Sequence, residues 1–349
     1  MTTFQSTSSV RTSLKAFDKH RALHTMAHYT GILSMHGLSR LALSTGDASH
    51  IDRARSELIP FVSGEHVFKC NFPNYHIGGN GTALLLMQGH FPEAESVCRE
   101  HAEQILRMSP RSSEGILCRP PENCERVWID TAFAVTPFLL FTGLALDVEE
   151  YVEEAFRQIH APYELLIDRE NGLLHQSRGF IGPGKISPDH WSRGNGWGLL
   201  ALAELVAWLP VGHRLRTASE AMLRDLLNAC LKFQDANGLW HQEITEPKSS
   251  YVETSGTGLI LFALGVAIEK GVLPASARDA FERGLAGYAG YIMPDGSIFH
   301  TCAGCLSPGD GSIATYKGVP PVKNDPHAFG PAILAFGQAY RLGVELPEV

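Results

Sequence analysis

The stretch Arg126-Val-Trp128-Ile-Asp130-Thr131-Ala-Phe133-Ala-Val-Thr-Pro137-Phe-Leu-Leu-Phe-Thr-Gly-Leu-Ala-Leu146 is apolar almost all round from Ala132 onward. Val148–Ile167, directly behind it, is amphipathic and charged. A helix with no polar face has to be covered on all sides, and an amphipathic helix covers a neighbour with its apolar stripe. The two segments therefore read as the inner and outer helices of one hairpin. Pro137 is expected to interrupt the inner helix. Asp130 is expected in its first turn, where a negative charge suits the helix dipole but is costly to bury unless paired or protonated.

The same alternation runs along the chain. His24–Thr45 is followed by Ile51–Val62, Gly81–Gln88 by Pro92–Met108, Arg193–Leu209 by His213–Phe233, and Thr254–Glu269 by Pro274–Ile292. Pro326–Leu342 closes the series, with the stretch before His24 available as its partner. Short motifs recur ahead of the later apolar helices: Glu114-Gly-Ile-Leu-Cys118, Asn171-Gly-Leu-Leu-His175, Asn237-Gly-Leu-Trp-His241 and Asp295-Gly-Ser-Ile-Phe-His300. Asn-Gly or Asp-Gly before apolar residues signals a tight turn into a short strand. Gly64–Cys70 reads as a degenerate first copy. The fold class is thus all-α: six helical hairpins, with short β-turns or strands in the connecting loops, closing into a ring. Ring closure gathers the loops before the inner helices at one end, around a shared pocket. Residues 1–12, rich in Ser and Thr, are expected to be a disordered tail, and 13–349 a single domain.

The bulk composition narrows the function. The chain has 349 residues, 44% hydrophobic and 19% charged, with a formal net charge of −8 and no Lys/Arg cluster, which argues against nucleic acid as partner. No apolar run is long enough to span a membrane, and the N-terminus lacks the apolar core of a signal peptide. Seven cysteines, an odd number at scattered spacing, read as reduced thiols, so a cytoplasmic location is expected. Cys302-Ala-Gly-Cys305 has the spacing of half a zinc site, but nothing completes it. Phosphate-loop, dinucleotide and serine-elbow motifs are missing. No cofactor and no metal are expected.

The densest chemical cluster is His190-Trp191-Ser-Arg193-Gly-Asn195-Gly-Trp197, at the entry to an inner helix. Its indoles offer stacking faces, and its guanidinium can grip a carboxylate. His175 and His241 hold equivalent positions in two repeats. Glu253, in Tyr251-Val-Glu253-Thr-Ser255, reads first as a helix cap. Asp325 reads as a cap with Pro326 at the first helical position.

Taken in order, Trp128-Ile-Asp130-Thr131, Trp191 to Trp197, Gly238-Leu-Trp-His241, Tyr251 to Ser255 and Asn324-Asp-Pro-His327-Ala-Phe-Gly330 resemble the unsaturated glucuronyl and rhamnogalacturonyl hydrolases. These form glycoside hydrolase families 88 and 105. The resemblance covers roughly residues 24–342 and implies an (α/α)6 barrel. It also implies an oligosaccharide substrate ending in a 4,5-unsaturated uronic acid, most simply one from rhamnogalacturonan. The implied reaction is hydration of the C4=C5 vinyl ether: an acid protonates C4, water adds at C5, and the resulting hemiketal opens to release the aglycone. By the same resemblance Asp130 is the catalytic acid. Trp128, His175, Trp191, Arg193, Trp197, His241 and His76 form the substrate-binding set, with Arg193 assigned to the uronate carboxylate. One departure stands out. Relatives carry a second aspartate at the start of the second inner helix, whereas no Asp or Glu occurs here between Glu65 and Glu93. Either His76 or Asn80 substitutes in polar contact, or the substrate differs, or activity is weakened. Two other readings stay open: a sugar 2-epimerase using His175 and His241 as an acid–base pair, and a catalytically silent sugar-binding protein.

Overall fold

The computed structural model describes residues 7–66, 72–118, 124–306 and 310–345. Its inner helices are α2 (Tyr29–Thr45), α4 (Gly79–Met87), α6 (Asp130–Leu146), α8 (Ser192–Trp208), α10 (Thr254–Glu269) and α13 (Phe329–Arg341). Each packs on the next, and α13 packs back on α2, so the ring closes. The outer helices are α1 (Ser8–Leu23), α3 (Ala48–Val62), α5 (Glu95–Met108), α7 (Glu149–Leu166), α9 (Arg216–Leu231) and α11 (Arg278–Ala289), while α12 (Ile313–Lys317) is a short turn of helix in the last long loop. This is the (α/α)6 barrel that the alternation of apolar and charged segments predicts. The inner helices approach closely enough that a Cβ on Gly256 of α10 would collide with Ser192 of α8, and one on Gly258 with the backbone of Pro331. Among the described residues no helix is long and apolar enough to cross a membrane.

The N-terminal expectation is corrected. Helix α1 starts at Ser8, with the Thr7 hydroxyl capping Val10 N–H, and Ser9, Val10 and Thr12 are buried. Ser9 Oγ donates to Val344 O and Ser13 Oγ to Ile333 O, so this segment is the outer partner of α13 and not a free tail. The expectation for residues 1–6 lies outside the described residues.

The repeated loops share one turn. Gly115, Gly172, Gly238 and Gly296 all take φ between 81° and 86°, which a Cβ disfavours. Bridges Arg111↔Leu117, Ile167↔Leu174 and Ile292↔Ile298 close three of these turns. Three of the four turns press their glycine against an outer helix: Gly172 against Ala229 of α9, Gly238 against Arg283 of α11, and Gly296 against Lys15 of α1. The last contact carries the repeat across the two ends of the chain. The corresponding copy around Gly64, which takes φ 77°, runs into residues 67–71, outside the described residues.

Pro137 does not interrupt α6, which is continuous from Asp130 to Leu146. Proline lacks the N–H that would satisfy the carbonyl four residues earlier, Phe133 O. Asn80 of α4 supplies the donor: its Nδ2 lies 3.3 Å from that oxygen, and Asn74 Nδ2 donates to Ala134 O at 2.8 Å.

Candidate active site

Asp130 is placed by the element before it. Strand β1 (Val127–Trp128) pairs antiparallel with β2 (Ser177–Arg178), and Ile129 N–H donates to Gln176 O, so the chain enters α6 with Asp130 as its first residue. A cavity of about 270 Å3 opens over this helix start. Its wall is Tyr29, Phe72, Tyr75, Arg126, Trp128, Asp130, Thr131, Phe133, Ala134, Trp191, Arg193, Trp197, Ala303, Gly304, Cys305 and His327. Five of the expected site residues, Asp130, Trp128, Trp191, Arg193 and Trp197, thus share one cavity.

Arg193 is locked in place. Its Nη1 donates to Ser255 Oγ (2.9 Å) and Cys302 O (2.6 Å), and its guanidinium lies 4.4 Å from the centroid of the Trp191 ring. Burial works against its charge, but Cys302, Glu253, Tyr29 and Asp325 hold the proton on, and its pKa is raised. The other indole, Trp197, stacks on Phe133 with centroids 4.6 Å apart. Trp191 and Trp197 are only 2% and 1% exposed. With one face of each occupied by protein, they are built into the wall, and the half-buried Trp128, set against Phe180, is the more open ring. Arg126, exposed, lies 5.3 Å from the centroid of Phe180 at the rim.

Glu253 does more than cap α10. Its carboxylate accepts from Ser255 N–H and Gly256 N–H, and also from the Ser192 hydroxyl and Cys302 N–H. One buried carboxylate therefore ties the starts of α8 and α10 to strand β3 (Thr301–Cys302), which pairs with β4 (Pro321–Val322). That holds the Ala303–Cys305 segment over the cavity. Three residues of the Cys302-x-x-Cys305 loop, whose spacing resembles half a zinc site, are part of the site wall: Ala303, Gly304 and Cys305.

Tyr29 and His327 were missed as site residues, because they come from opposite ends of the chain and meet only when the ring closes. The one signal was the Asn324-Asp-Pro-His327 motif. Asp325 is not the helix cap expected of it; Ala328 is, and Asp325 Oδ1 instead accepts from His327 N–H and faces His327 Nδ1 at 2.5 Å.

The three expected histidines lie elsewhere. His175 Nδ1 faces Asp189 O at 3.3 Å, and its ring packs 4.7 Å from His190. His241 Nδ1 bonds Ser250 O at 2.7 Å, with Asp235 near its other nitrogen. His76 is exposed, its ring 6.5 Å from that of His101. None of the three is in the cavity wall. Asn80, whose amide serves Phe133 O, is not in the cavity wall either. In the group around His175, ligand atoms of Asp168, His175 and His190 come within 4.8 Å of one another. Protein partners already join them: His190 Nε2 lies 2.9 Å from Asp168 Oδ2 and 3.1 Å from Asn171 Nδ2. Burial opposes charge on His190, but Glu243 and Asp168 outweigh it and its pKa is raised; burial and His190 together push His175 down.

A half-buried carboxyl thus stands at the head of an apolar helix, in a tryptophan-walled cleft of an (α/α)6 barrel, an arrangement suited to processing a carbohydrate. The sequence profile of Glycosyl Hydrolase Family 88 matches residues 6–343, and the chain belongs to that family. It is 30% identical over 210 residues to an unsaturated rhamnogalacturonyl hydrolase of Bacillus subtilis (strain 168), a match spanning 59% of this chain and 59% of that relative. It is also 30% identical over 155 residues to an unsaturated 3S-rhamnoglycuronyl hydrolase of Formosa agariphila, covering 42% of this chain and 41% of the relative. Matches to these curated relatives thus span well under two thirds of their length. Among solved structures, a family 105 glycoside hydrolase of C. acetobutylicum superimposes with a TM-score of 0.80 at 23% identity, covering 95% of this chain and 99% of that one. An unsaturated glucuronyl hydrolase from Bacillus sp. GL1 gives 0.70 at 15% identity, covering 93% and 94%. Those likenesses confirm the barrel.

Proposed function

We propose that the protein removes a terminal 4,5-unsaturated uronic acid from lyase-generated oligosaccharides, with an unsaturated rhamnogalacturonyl disaccharide as the preferred substrate. Asp130 protonates C4, positive charge develops at C5 and the ring oxygen, water adds at C5, and the hemiketal opens. One observation carries the reading. The cavity brings the Asp130 carboxyl, three indoles and two guanidiniums together, with Arg193 in its wall and Arg126 at its rim. Indole rings and guanidiniums suit an anionic sugar, whose carboxylate an Arg side chain can grip. The names of the curated relatives support the same substrate class. The described cysteines are free thiols, in keeping with a cytoplasmic location.

Ultraviolet absorbance tests the reading, because hydration destroys the conjugated chromophore of the unsaturated uronate. The expected result is bleaching of pectin-, ulvan- or glycosaminoglycan-derived unsaturated disaccharides, fastest for the rhamnogalacturonan product. Binding without bleaching would make the protein a sugar-binding module instead. The epimerase reading has no support in the placement of His175 and His241, which lie outside the cavity wall.

A further inference from the structure

Three residues from the two ends of the chain form a line that ends in the cavity. Asp325 and His327 lie in the turn before α13, and Tyr29 is the first residue of α2. His327 Nδ1 lies 2.5 Å from Asp325 Oδ1, and His327 Nε2 is hydrogen-bonded to the Tyr29 hydroxyl. The direction of each bond follows from charge. Burial opposes ionisation of Asp325, but its contacts with His327 outweigh burial and hold its pKa below the ordinary value. The carboxylate can therefore only accept, so Nδ1 carries the hydrogen. Burial, reinforced by Arg193, pushes His327 down to about 4, so its ring is neutral at pH 7 and Nε2 offers a lone pair. Tyr29 must donate to it. With its only proton committed there, the Tyr29 oxygen can act solely as an acceptor towards the cavity it lines with Asp130.

The surroundings keep this arrangement. Burial pushes the phenol up to about 12, with Arg193 of α8 pulling the other way and Asp130 of α6, Cys305 and Asp325 reinforcing it. His28 faces His327, and the cluster extends through His20 and His24 of the preceding segment. Tyr29 is thus no free phenolate, and its oxygen becomes basic only as its proton moves to His327.

We propose that Tyr29, backed by His327 and Asp325, is a second catalytic group of this site, taking the proton of the attacking water while Asp130 delivers the proton to carbon. The assignment rests on the hydrolase reading above. The C4–H bond forms from the Asp130 carboxyl proton and the π electron pair, and the water oxygen bonds to C5. As it does so, a water O–H breaks towards the Tyr29 oxygen, and the Tyr29 proton passes to Nε2 of His327, giving an imidazolium beside the Asp325 carboxylate. After the step Asp130 holds one proton fewer and His327 one more; exchange with solvent resets both. The relay supplies a base at a position where the second inner helix offers no carboxylate.

Tyr29→Phe tests it, because it keeps the ring and removes only the relay's oxygen. On a bleached disaccharide, kcat is expected to fall about 10²–10⁴-fold, the usual contribution of a general base. KM should change by less than about threefold, as for an interaction made only in the transition state. His327→Gln should lose a similar factor, and the double variant little more, because the groups act as a unit. If Tyr29→Phe has lost its cooperative thermal transition, Asp325→Asn is read by the same criteria. A kcat within about threefold of wild type, a loss confined to KM, or losses that multiply in the double variant would each overturn the assignment. Wild-type protein that bleaches no unsaturated disaccharide overturns the hydrolase reading and this assignment with it, an outcome distinct from an active Tyr29→Phe.

Discussion

Asp130 opens an inner helix whose next residues are almost wholly buried, and the cavity gathers there. Asp130→Asn keeps the shape and removes the transferable proton, so kcat is expected to fall by at least about 10²-fold while binding persists; near wild-type bleaching would exclude Asp130 from the chemistry. A second carboxyl offers a pH test away from the cavity wall. Burial, helped by Glu243, pushes Asp189 up from 3.8 to about 7. The folded state therefore holds that proton more tightly than the unfolded chain. Its stabilising contribution is complete below the unfolded value and is lost as pH rises through about 7. Thermal melts should show Asp189→Asn gaining on wild type between about pH 4 and pH 7 and running parallel above; a pH-independent difference would refute this. At this scale the sequence was legible where a site residue sits in a contiguous motif, as with Asp130, Trp191, Arg193 and Trp197. It misled where a repeat meant shared turn geometry: His175 and His241 each place Nδ1 on a backbone carbonyl, a structural task that recurs with the turn.

Helices and turns carry their own tests. Asn80 restores the acceptor balance that Pro137 upsets in α6, which is why the helix survives a proline that its sequence marks as a break. Asn80→Asp replaces the donor with a carboxylate facing Phe133 O and should cost about 1–3 kcal/mol, measured by denaturant unfolding; an unchanged midpoint would mean the amide is dispensable. Gly238→Ala should also destabilise, since φ is 86° and the new Cβ would meet the Arg283 carbonyl carbon at 2.5 Å. The turn signal at Asn237-Gly238 was readable from residue types, but the packing of that turn on α11 was not, because nothing local encodes it.

Across the whole molecule, alternation of apolar and charged helices was enough to read the ring, and its N-terminal closure was the part misjudged. Ser and Thr near the start look like a tail by composition, yet Ser9 and Ser13 point their hydroxyls at carbonyls of the last segment. Nor did sequence reveal the polar clamp inside the barrel. Glu204 of α8, fully buried, accepts from Arg40 of α2 (2.5 Å) and from the Trp208 indole N–H, and His36 Nε2 of α2 lies 2.9 Å from its other carboxylate oxygen. Removing one member leaves uncompensated buried charge, so Glu204→Leu is expected to cost about 3–5 kcal/mol; a midpoint within error of wild type would contradict that. The cavity over Asp130 is where the proposed chemistry takes place, and that chemistry is selective in a way that can be measured. Wild-type protein is given a matched pair of disaccharides, one ending in a 4,5-unsaturated uronate and the other in its saturated counterpart, with product release followed in both. Hydration of the vinyl ether requires release only from the unsaturated sugar, in step with loss of its absorbance. Cleavage of the saturated sugar at a comparable rate would mean direct displacement at the anomeric carbon and would contradict the mechanism.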